Sequence, residues 1–335
     1  MKKVHAAVAL AVLFLSACLN AATVPRYKQV AKYALGGEGG WDYITLDPAS
    51  NRLFIAHNKA ILVVDASSGK QLGEVPADGA HGIALVPEAN RAFSSNGRAG
   101  TVTVFDLKTL KPLQEIKVGE NPDAIIYDPS SRYVIVMNGR SGDVMAIDPV
   151  SMKVTSTVPV GGKLEFAVAD PGHIFVNVED RSEIADIDSR SWKVAHRWKL
   201  TGCDEPSGLA MDPKAKTLFA VCDNRQMAVV DASDGHVIST VPTGAGTDGA
   251  AFDPETHLAF ASNGEGTLTV VRRRPDGKYE RAATVATLPG ARTIALDPKS
   301  HKIFLPTAEL GPPAQGERRP AIKPGTFMVL VYAPE

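Results

Sequence analysis

The sequence predicts an all-β protein, namely a seven-bladed β-propeller with four-stranded antiparallel blades. Three observations support this prediction. A short tag recurs seven times at a spacing of about 40 residues, which is the length of a four-stranded propeller blade. Strand-like apolar runs alternate with polar turns, and no segment has convincing helical periodicity. The last repeat lacks a fourth strand, whereas an unassigned strand precedes the first repeat.

The tag is an apolar residue followed by Asp and Pro, a few polar residues and an apolar run, as in TLDPASNRLFIAHN and AFDPETHLAFASNG. It predicts the end of a first strand, a turn started by Pro, and a second strand. A third strand such as ILVVDASSGK follows, and then a more polar fourth strand such as VISTVPT, as expected at the outer edge of a blade. Copy two has Val86 in place of the Asp, and copy four reads as three residues shorter in its first turn.

The two ends of the chain are predicted to complete one blade together. The third strand of copy seven, FMVLVYAPE, is followed by no fourth strand, and YKQVAKYAL at residues 27–35 resembles a fourth strand. Pairing these segments closes the ring and removes two open sheet edges. We therefore predict a single propeller domain over residues 23–335.

Repeats such as IALVPEANRAF, LAMDPKAKTLFAVCDN and VVDASDGHVISTVPTG resemble the YVTN-repeat β-propeller family of exported bacterial and archaeal proteins. The resemblance extends over essentially the whole chain after its N-terminal leader. It implies the propeller fold and export. It implies no particular reaction, because the family has no shared catalytic motif that could be matched to residues here.

Residues 1–22 are predicted to be a secretory signal peptide. Two lysines precede an apolar run from Ala6 to Leu15, which is too short for a membrane-spanning helix. The tetrapeptide LSAC ending at Cys18 resembles the lipobox of bacterial lipoproteins, in which the cysteine becomes lipid-modified. Ordinary cleavage near Ala21 or Ala22 is the alternative. Both predict a periplasmic or envelope location, with membrane attachment only through a lipid on Cys18.

The charge balance disfavours nucleic-acid binding. The chain has 36 Lys and Arg residues against 37 Asp and Glu residues, whereas nucleic-acid binders usually have a clear basic excess. The expected partner is a small molecule or another envelope protein.

Two columns of polar residues recur at fixed distances from the tag Asp. Five residues before it lies a first column: Asp42, His81, Asp123, Glu165, Ser207, Asp248 and Arg292. Ten residues after it, or seven in copy four, lies a second column: His57, Asn96, Asn138, Asn177, Cys222, Asn263 and Thr307. Because equivalent positions of all blades form rings, we predict that both columns surround the channel mouth as a ligand-binding site. For any single member, a hydrogen bond to nearby backbone is the alternative role.

The same residues suggest a cation. A hard divalent ion such as Ca²⁺ or Mg²⁺ suits the carboxylates of Asp42, Asp123, Glu165 and Asp248 together with the amide oxygens of Asn96, Asn138 and Asn263. Asp123, Glu165 and Asp248 are the predicted metal ligands. His57 and His81 lie on neighbouring blades, which makes Cu or Zn a less favoured alternative.

The chain contains no G-x-S-x-G, H-E-x-x-H or C-x-x-C-H motif, and no catalytic residue can be assigned from the sequence. We therefore expect an exported binding or scaffold protein that acts through the channel mouth. A metal-assisted hydrolase or lyase, similar to propeller lactonases, is the alternative.

Two further expectations concern loops near the mouth. Cys203 and Cys222 are expected to form a disulfide, because export exposes them to an oxidising compartment; two free thiols or a metal pair are the alternatives. The Pro-rich segment at 309–325 is expected to overhang the mouth as a flap carrying Arg318, Arg319 and Lys323, or else to be a disordered insertion.

Overall fold

The computed structural model describes residues 24–313 and 320–335, and the strands of these residues form seven four-stranded antiparallel sheets around one axis. The predicted seven-bladed propeller is therefore confirmed. The predicted signal peptide and the predicted lipidation of Cys18 lie outside the described residues.

Blades one to six have their strands in sequence order from the axis outwards, whereas the outer strand of blade seven comes from the start of the domain. The blades are numbered one to seven along the chain. The innermost strands are Trp41–Asp47, Ala80–Val86, Pro122–Asp128, Leu164–Asp170, Pro206–Asp212, Thr247–Asp253 and Ala295–Asp297. The second strands are Arg52–His57, Arg91–Asn96, Tyr133–Asn138, His173–Val178, Thr217–Cys222, Leu258–Asn263 and Lys302–Thr307. The third strands are Ala60–Asp65, Thr101–Asp106, Asp143–Asp148, Glu183–Asp188, Gln226–Asp231, Thr267–Arg273 and Met328–Pro334. The outer strands are Gln71–Pro76, Pro112–Lys117, Lys153–Pro159, Lys193–Lys199, Val237–Pro242, Tyr279–Ala286 and Tyr27–Ala34.

A few short elements lie between the blade strands. Two 3₁₀ helices span Pro87–Ala89 and Glu179–Arg181, and a small hairpin pairs Leu310–Pro313 with Pro320–Ile322. In the described part of the chain, no helix has the length and hydropathy that crossing a bilayer requires.

The N-terminal strand closes the ring as predicted. Tyr27–Ala34 pairs antiparallel with Met328–Pro334 and forms the outer strand of blade seven. Tyr27 and Tyr33 are both buried, and the Tyr27 ring packs edge-on against Phe260 of blade six. The last blade is thus held by backbone pairing to the start of the domain and by packing against its neighbour.

In most blades the tag Asp has a structural role at the end of the innermost strand. The Asp128 carboxylate accepts hydrogen bonds from the backbone nitrogens of Ser130 and Ser131, at 2.9 and 3.1 Å. The same pattern recurs at Asp253. Such Asx turns satisfy backbone donors that would otherwise be unpaired. Copy two, with Val86 instead of Asp, makes this turn with the 3₁₀ helix Pro87–Ala89, which explains the departure from the tag.

Blade four is shortened by two residues rather than the predicted three. Asp170 pairs directly with His173, so its hairpin turn contains only two residues, whereas Asp47 pairs with Arg52 across a four-residue turn. The register therefore places Val178, opposite Leu164, at the second-column position. The assignment of Asn177 to that column was wrong by one residue.

The core lies between the blades. At the centre of every second strand is a large apolar side chain that is at most 1% exposed: Phe54, Phe93, Ile135, Phe175, Phe219, Phe260 and Phe304. Replacing such a residue by Ala costs about 3–5 kcal/mol in typical cores. This packing of blade against blade makes the axis a rigid frame for the residues that point into it.

Candidate functional site

The first column converges on one end of the axis, as predicted. A cavity of about 460 Å³ lies there, and side chains from every blade line it. All seven members of the column are among its walls: Asp42, His81, Asp123, Glu165, Ser207, Asp248 and Arg292. We call this space the acidic cavity.

A β-bulge explains why these side chains point to the axis. Trp41 pairs with His57 and Ile44 pairs with Ile55, so two residues of the innermost strand oppose one of its partner. The same irregularity occurs at the corresponding place in blades two to six. A bulge leaves its extra residue unpaired and redirects its side chain. Asp42 lies in the bulge of blade one, and the other column members of these blades occupy the equivalent position.

Three residues of neighbouring blades form a compact cluster. His81 Nδ1 lies 2.5 Å from Asp42 Oδ2 and 3.7 Å from Asp123 Oδ1. One ligand atom from each of Asp42, His81 and Asp123 lies within 4.8 Å of the other two, and the three side chains are half-buried. This group, which we call the Asp–His–Asp cluster, can hold a metal ion.

The other two predicted metal ligands are paired with cations of the protein. Arg292 Nε donates to Asp248 Oδ2 at 2.7 Å, and Lys163 Nζ lies 3.0 Å from Glu165 Oε1. The structure therefore groups Asp123 with Asp42 and His81, rather than with Glu165 and Asp248 as the sequence suggested.

Several wall residues were missed by the sequence reasoning. Lys163 and Glu205 lie two residues before the first-column position of their blades, and Glu179 and Asp223 follow the second strands of blades four and five. Their offsets repeat from blade to blade, so extending the register by one or two residues into the loops would have found them.

The cavity is strongly acidic. Among the described residues, seven carboxylates line it: Asp42, Asp123, Glu165, Glu179, Glu205, Asp223 and Asp248. Facing them are Lys163, Arg292 and His81. A concave surface with this excess of one charge sign concentrates ligands of the opposite sign. Such a cavity could hold a cation or a cationic group.

Burial and the charges of neighbouring residues shift the pKa values of the side chains that line the acidic cavity. Burial, followed by the charges of neighbouring carboxylates, raises the pKa of Asp123 and of Glu165. Burial also raises the pKa of Asp248, which the Arg292 charge partly offsets. For His81, burial lowers the pKa, but the hydrogen bond with Asp42 and the charges of Asp123 and Asp42 outweigh it, so the pKa is raised. The ionised carboxylates of the cavity are therefore destabilised by burial and by one another, and a bound cation would reduce this destabilisation.

A pH effect on stability follows from Glu165. Because the pKa of Glu165 is raised in the folded protein, its contribution to stability is complete below the ordinary glutamate pKa and is lost as the pH rises through the raised value. We expect metal-free wild type to lose stability relative to Glu165→Gln between pH 5 and pH 8. Urea unfolding of both proteins at the two pH values measures this change, and a difference in unfolding free energy that stays constant with pH would contradict it.

The second column does not line the acidic cavity. Its members in blades one, two, three and six pair with the residue just before the bulge. The bulge therefore turns the side chains of the first column towards the axis, whereas those of the second column stay within the blade. Asn96 donates to Thr101 and Thr103, and Asn263 donates to Thr267 and Thr269, which ties second strands to third strands. These amides have the alternative, structural role.

The remaining predicted members are buried as well. His57 stacks on Phe327 with ring centroids 4.2 Å apart, and burial lowers its pKa. Asn138 donates to Asp143 at 2.6 Å. Asn177, which is one residue out of register, donates to the backbone oxygens of Ser207 and Gly208 in blade five. His57 is therefore not part of a metal pair with His81.

The predicted disulfide is present and supports the cavity wall. Cys203 and Cys222 are bonded, with their Cα atoms 5.4 Å apart. The bridge anchors the loop that carries Glu205, and the Asp223 nitrogen donates to Asp204 oxygen at 2.9 Å beside it. Closing a loop of 19 residues stabilises a fold by about 3 kcal/mol, mainly by restricting the unfolded chain.

The segment predicted as a flap lies beside blade one. Its described part is the hairpin Leu310–Pro313 with Pro320–Ile322, and Ile322 approaches Gly40. Lys323 pairs with Glu309 at 3.2 Å and is not among the cavity walls. Arg318 and Arg319 lie outside the described residues.

Fold and site together define a seven-bladed β-propeller with an acidic cavity at one end of its axis. No protein-family model matches the chain, and no curated protein matches it. Among solved structures, the chain is similar to Kuenenia stuttgartiensis hydrazine synthase, with a TM-score of 0.68 and 19% sequence identity over 79% of this chain and 92% of that chain. At this identity the similarity shows the propeller fold alone.

Proposed function

We propose that the protein is an exported binding protein of the YVTN-repeat family, which holds a small polar ligand in the acidic cavity through a divalent cation. The observation that carries the proposal is the Asp–His–Asp cluster, whose three ligand atoms come within 4.8 Å of one another at the wall of a 460 Å³ cavity. A cavity of this size has room for an ion together with a small molecule.

The pairing of the other charges supports the Asp–His–Asp cluster as the cation site. Asp248 has Arg292 within 3.0 Å, and Lys163 lies between Glu165 and Glu179, whereas Asp42 and Asp123 face one imidazole. Arg292 reaches Asp42 only at 3.8 Å. Within the residues that the structure describes, the two carboxylates beside His81 therefore have no Lys or Arg closer than 3.8 Å, and a divalent ion would replace the proton that His81 shares with Asp42.

The donor set favours a borderline metal. One imidazole nitrogen with two carboxylate oxygens suits Zn²⁺ or Mn²⁺, whereas Ca²⁺ prefers six to eight oxygen ligands. The geometry thus favours a different ion from the Ca²⁺ or Mg²⁺ that the sequence suggested.

Titration of metal-free protein with Mn²⁺, followed by electron paramagnetic resonance, tests the proposal. We expect one bound ion per chain at micromolar metal, with Zn²⁺ competing and Ca²⁺ competing weakly. The exposed group of Asp231, Asp234 and His236 provides a matched control, because it also brings three ligand atoms together. Loss of Mn²⁺ binding in Asp234→Asn, with binding retained in Asp123→Asn, would contradict the proposed site.

A metal-assisted hydrolase or lyase is the second candidate. The observation in its favour is that the Asp–His–Asp cluster opens into a cavity that also holds Lys163 and Arg292, which could bind the developing negative charge of an opened lactone. Turnover of simple lactones by the Mn²⁺-loaded protein, lost in Lys163→Met with metal binding retained, would favour the enzyme over the binding protein.

Export is part of the proposal and rests on the signal-like residues 1–22. Expression of the full-length chain followed by cell fractionation tests it. Recovery in the membrane fraction that changes to the periplasmic fraction in Cys18→Ala would favour lipidation over ordinary cleavage.

A further inference from the structure

A second cavity lies on the same axis and has a different chemistry. Its volume is about 480 Å³, and Tyr43 and Asp248 belong to the walls of both this cavity and the acidic one. We call it the apolar chamber. The rings of Tyr43 and Phe166, from blades one and four, contact each other with their centroids 5.2 Å apart. They line the apolar chamber, and Tyr43 does so where it adjoins the acidic cavity.

The ring of blades encloses the apolar chamber. Every blade contributes to its walls, through residues such as Ile44, Ile83, Ile125, Phe166, Ala250 and Ile294. It extends to the first turns of blades one to three, where Pro48, Pro87 and Pro129 line it at the end of the axis opposite the acidic cavity. A space of this volume inside the ring has room for a small molecule and excludes a folded partner.

The walls present apolar surface that the fold itself does not bury. Leu46, Ile126, Phe166 and Ile294 are only partly buried although they lie inside the ring. The carboxylates at the two ends already have cationic partners: Asp47 lies 3.7 Å from Arg52 Nη2 and also accepts from Ser50 Oγ, and Asp248 accepts from Arg292 Nε. The space between them therefore offers no free charge to a ligand.

We infer that the apolar chamber is a second binding site, for an uncharged apolar molecule such as an alkyl chain or a fused aromatic ring system. Transfer of such a molecule from water removes its own apolar surface and that of the partly buried wall residues from solvent, which is favourable. The site is independent of the cation proposed for the acidic cavity.

Titration with the fluorescent probe N-phenyl-1-naphthylamine tests the inference. We expect saturable binding of one probe per chain to wild type. Ala250→Phe, which fills the chamber, and Ile126→Asn, which makes its wall polar, should each weaken binding at least about tenfold. Ala286→Phe adds the same ring at an exposed position of an outer strand and should leave binding unchanged. Thermal unfolding of each variant shows whether it is folded.

Two results would overturn the inference: probe binding that does not saturate, or folded Ala250→Phe and Ile126→Asn proteins that both bind like wild type. Asp123→Asn separates the two sites. It should weaken Mn²⁺ binding and leave probe binding unchanged, so a failure of the cation proposal and a failure of the apolar site give different results.

Discussion

Substituting Asp42 and Asp123 together by asparagine is expected to abolish Mn²⁺ binding while leaving the propeller folded. Both carboxylates face His81, so the double variant removes two of the three ligands of the Asp–His–Asp cluster and leaves only the imidazole. Changes next to metal ligands cost about 10–100-fold in affinity, so loss of two charged ligands should cost more than about 100-fold. Isothermal titration with Mn²⁺ measures the loss.

The same variant should be at least as stable as wild type without metal. Burial raises the pKa of Asp123, which means that its ionised form is disfavoured in the folded protein at neutral pH. A matched Asp231→Asn, Asp234→Asn protein should bind Mn²⁺ like wild type, because that group is mostly exposed. Wild-type affinity in the Asp42, Asp123 double variant would exclude the Asp–His–Asp cluster as the cation site.

Deleting residues 24–34 is expected to cost most of the stability of the domain. The deletion removes the strand that pairs with Met328–Pro334, takes away the buried rings of Tyr27 and Tyr33, and leaves an open edge on blade seven. Two buried aromatic side chains alone correspond to about 6 kcal/mol, against about 5–15 kcal/mol for a whole domain. We expect a large fall in the unfolding midpoint and aggregation through the open edge.

Thermal unfolding and gel filtration measure these effects. Val30→Ala, in the same strand but half exposed, is the control and should change stability by less than about 0.5 kcal/mol. A monomeric deletion protein with the wild-type midpoint would show that the N-terminal strand does not close the ring.

The repeat predicted the fold because one blade cannot bury its faces alone, so a recurring tag implies neighbours and an axis. The first column followed from the same logic, and Asp42, His81 and Asp123 lie where it placed them. The second column was placed at the mouth because equivalent positions of all blades form rings. The bulge redirects only the innermost strand, and a bulge leaves no clear trace in a single sequence.

The sequence alone also could not predict which carboxylates would form the metal site. Which carboxylate meets which cation depends on distances across the axis, and the sequence offered no means to pair Asp248 with Arg292 or Glu165 with Lys163. Likewise, the turn of blade four was predicted to be three residues shorter than in the other blades, but it is two residues shorter. This difference shifted the predicted register of its second strand by one residue.

Anomalous diffraction from crystals soaked in Mn²⁺ tests the central claim most directly, namely that residues far apart in the chain form one cation site on the axis. We predict one strong peak at the wall of the acidic cavity, within bonding distance of Asp42, His81 and Asp123. A strong peak at Asp231, Asp234 and His236 with none on the axis would contradict the proposed site.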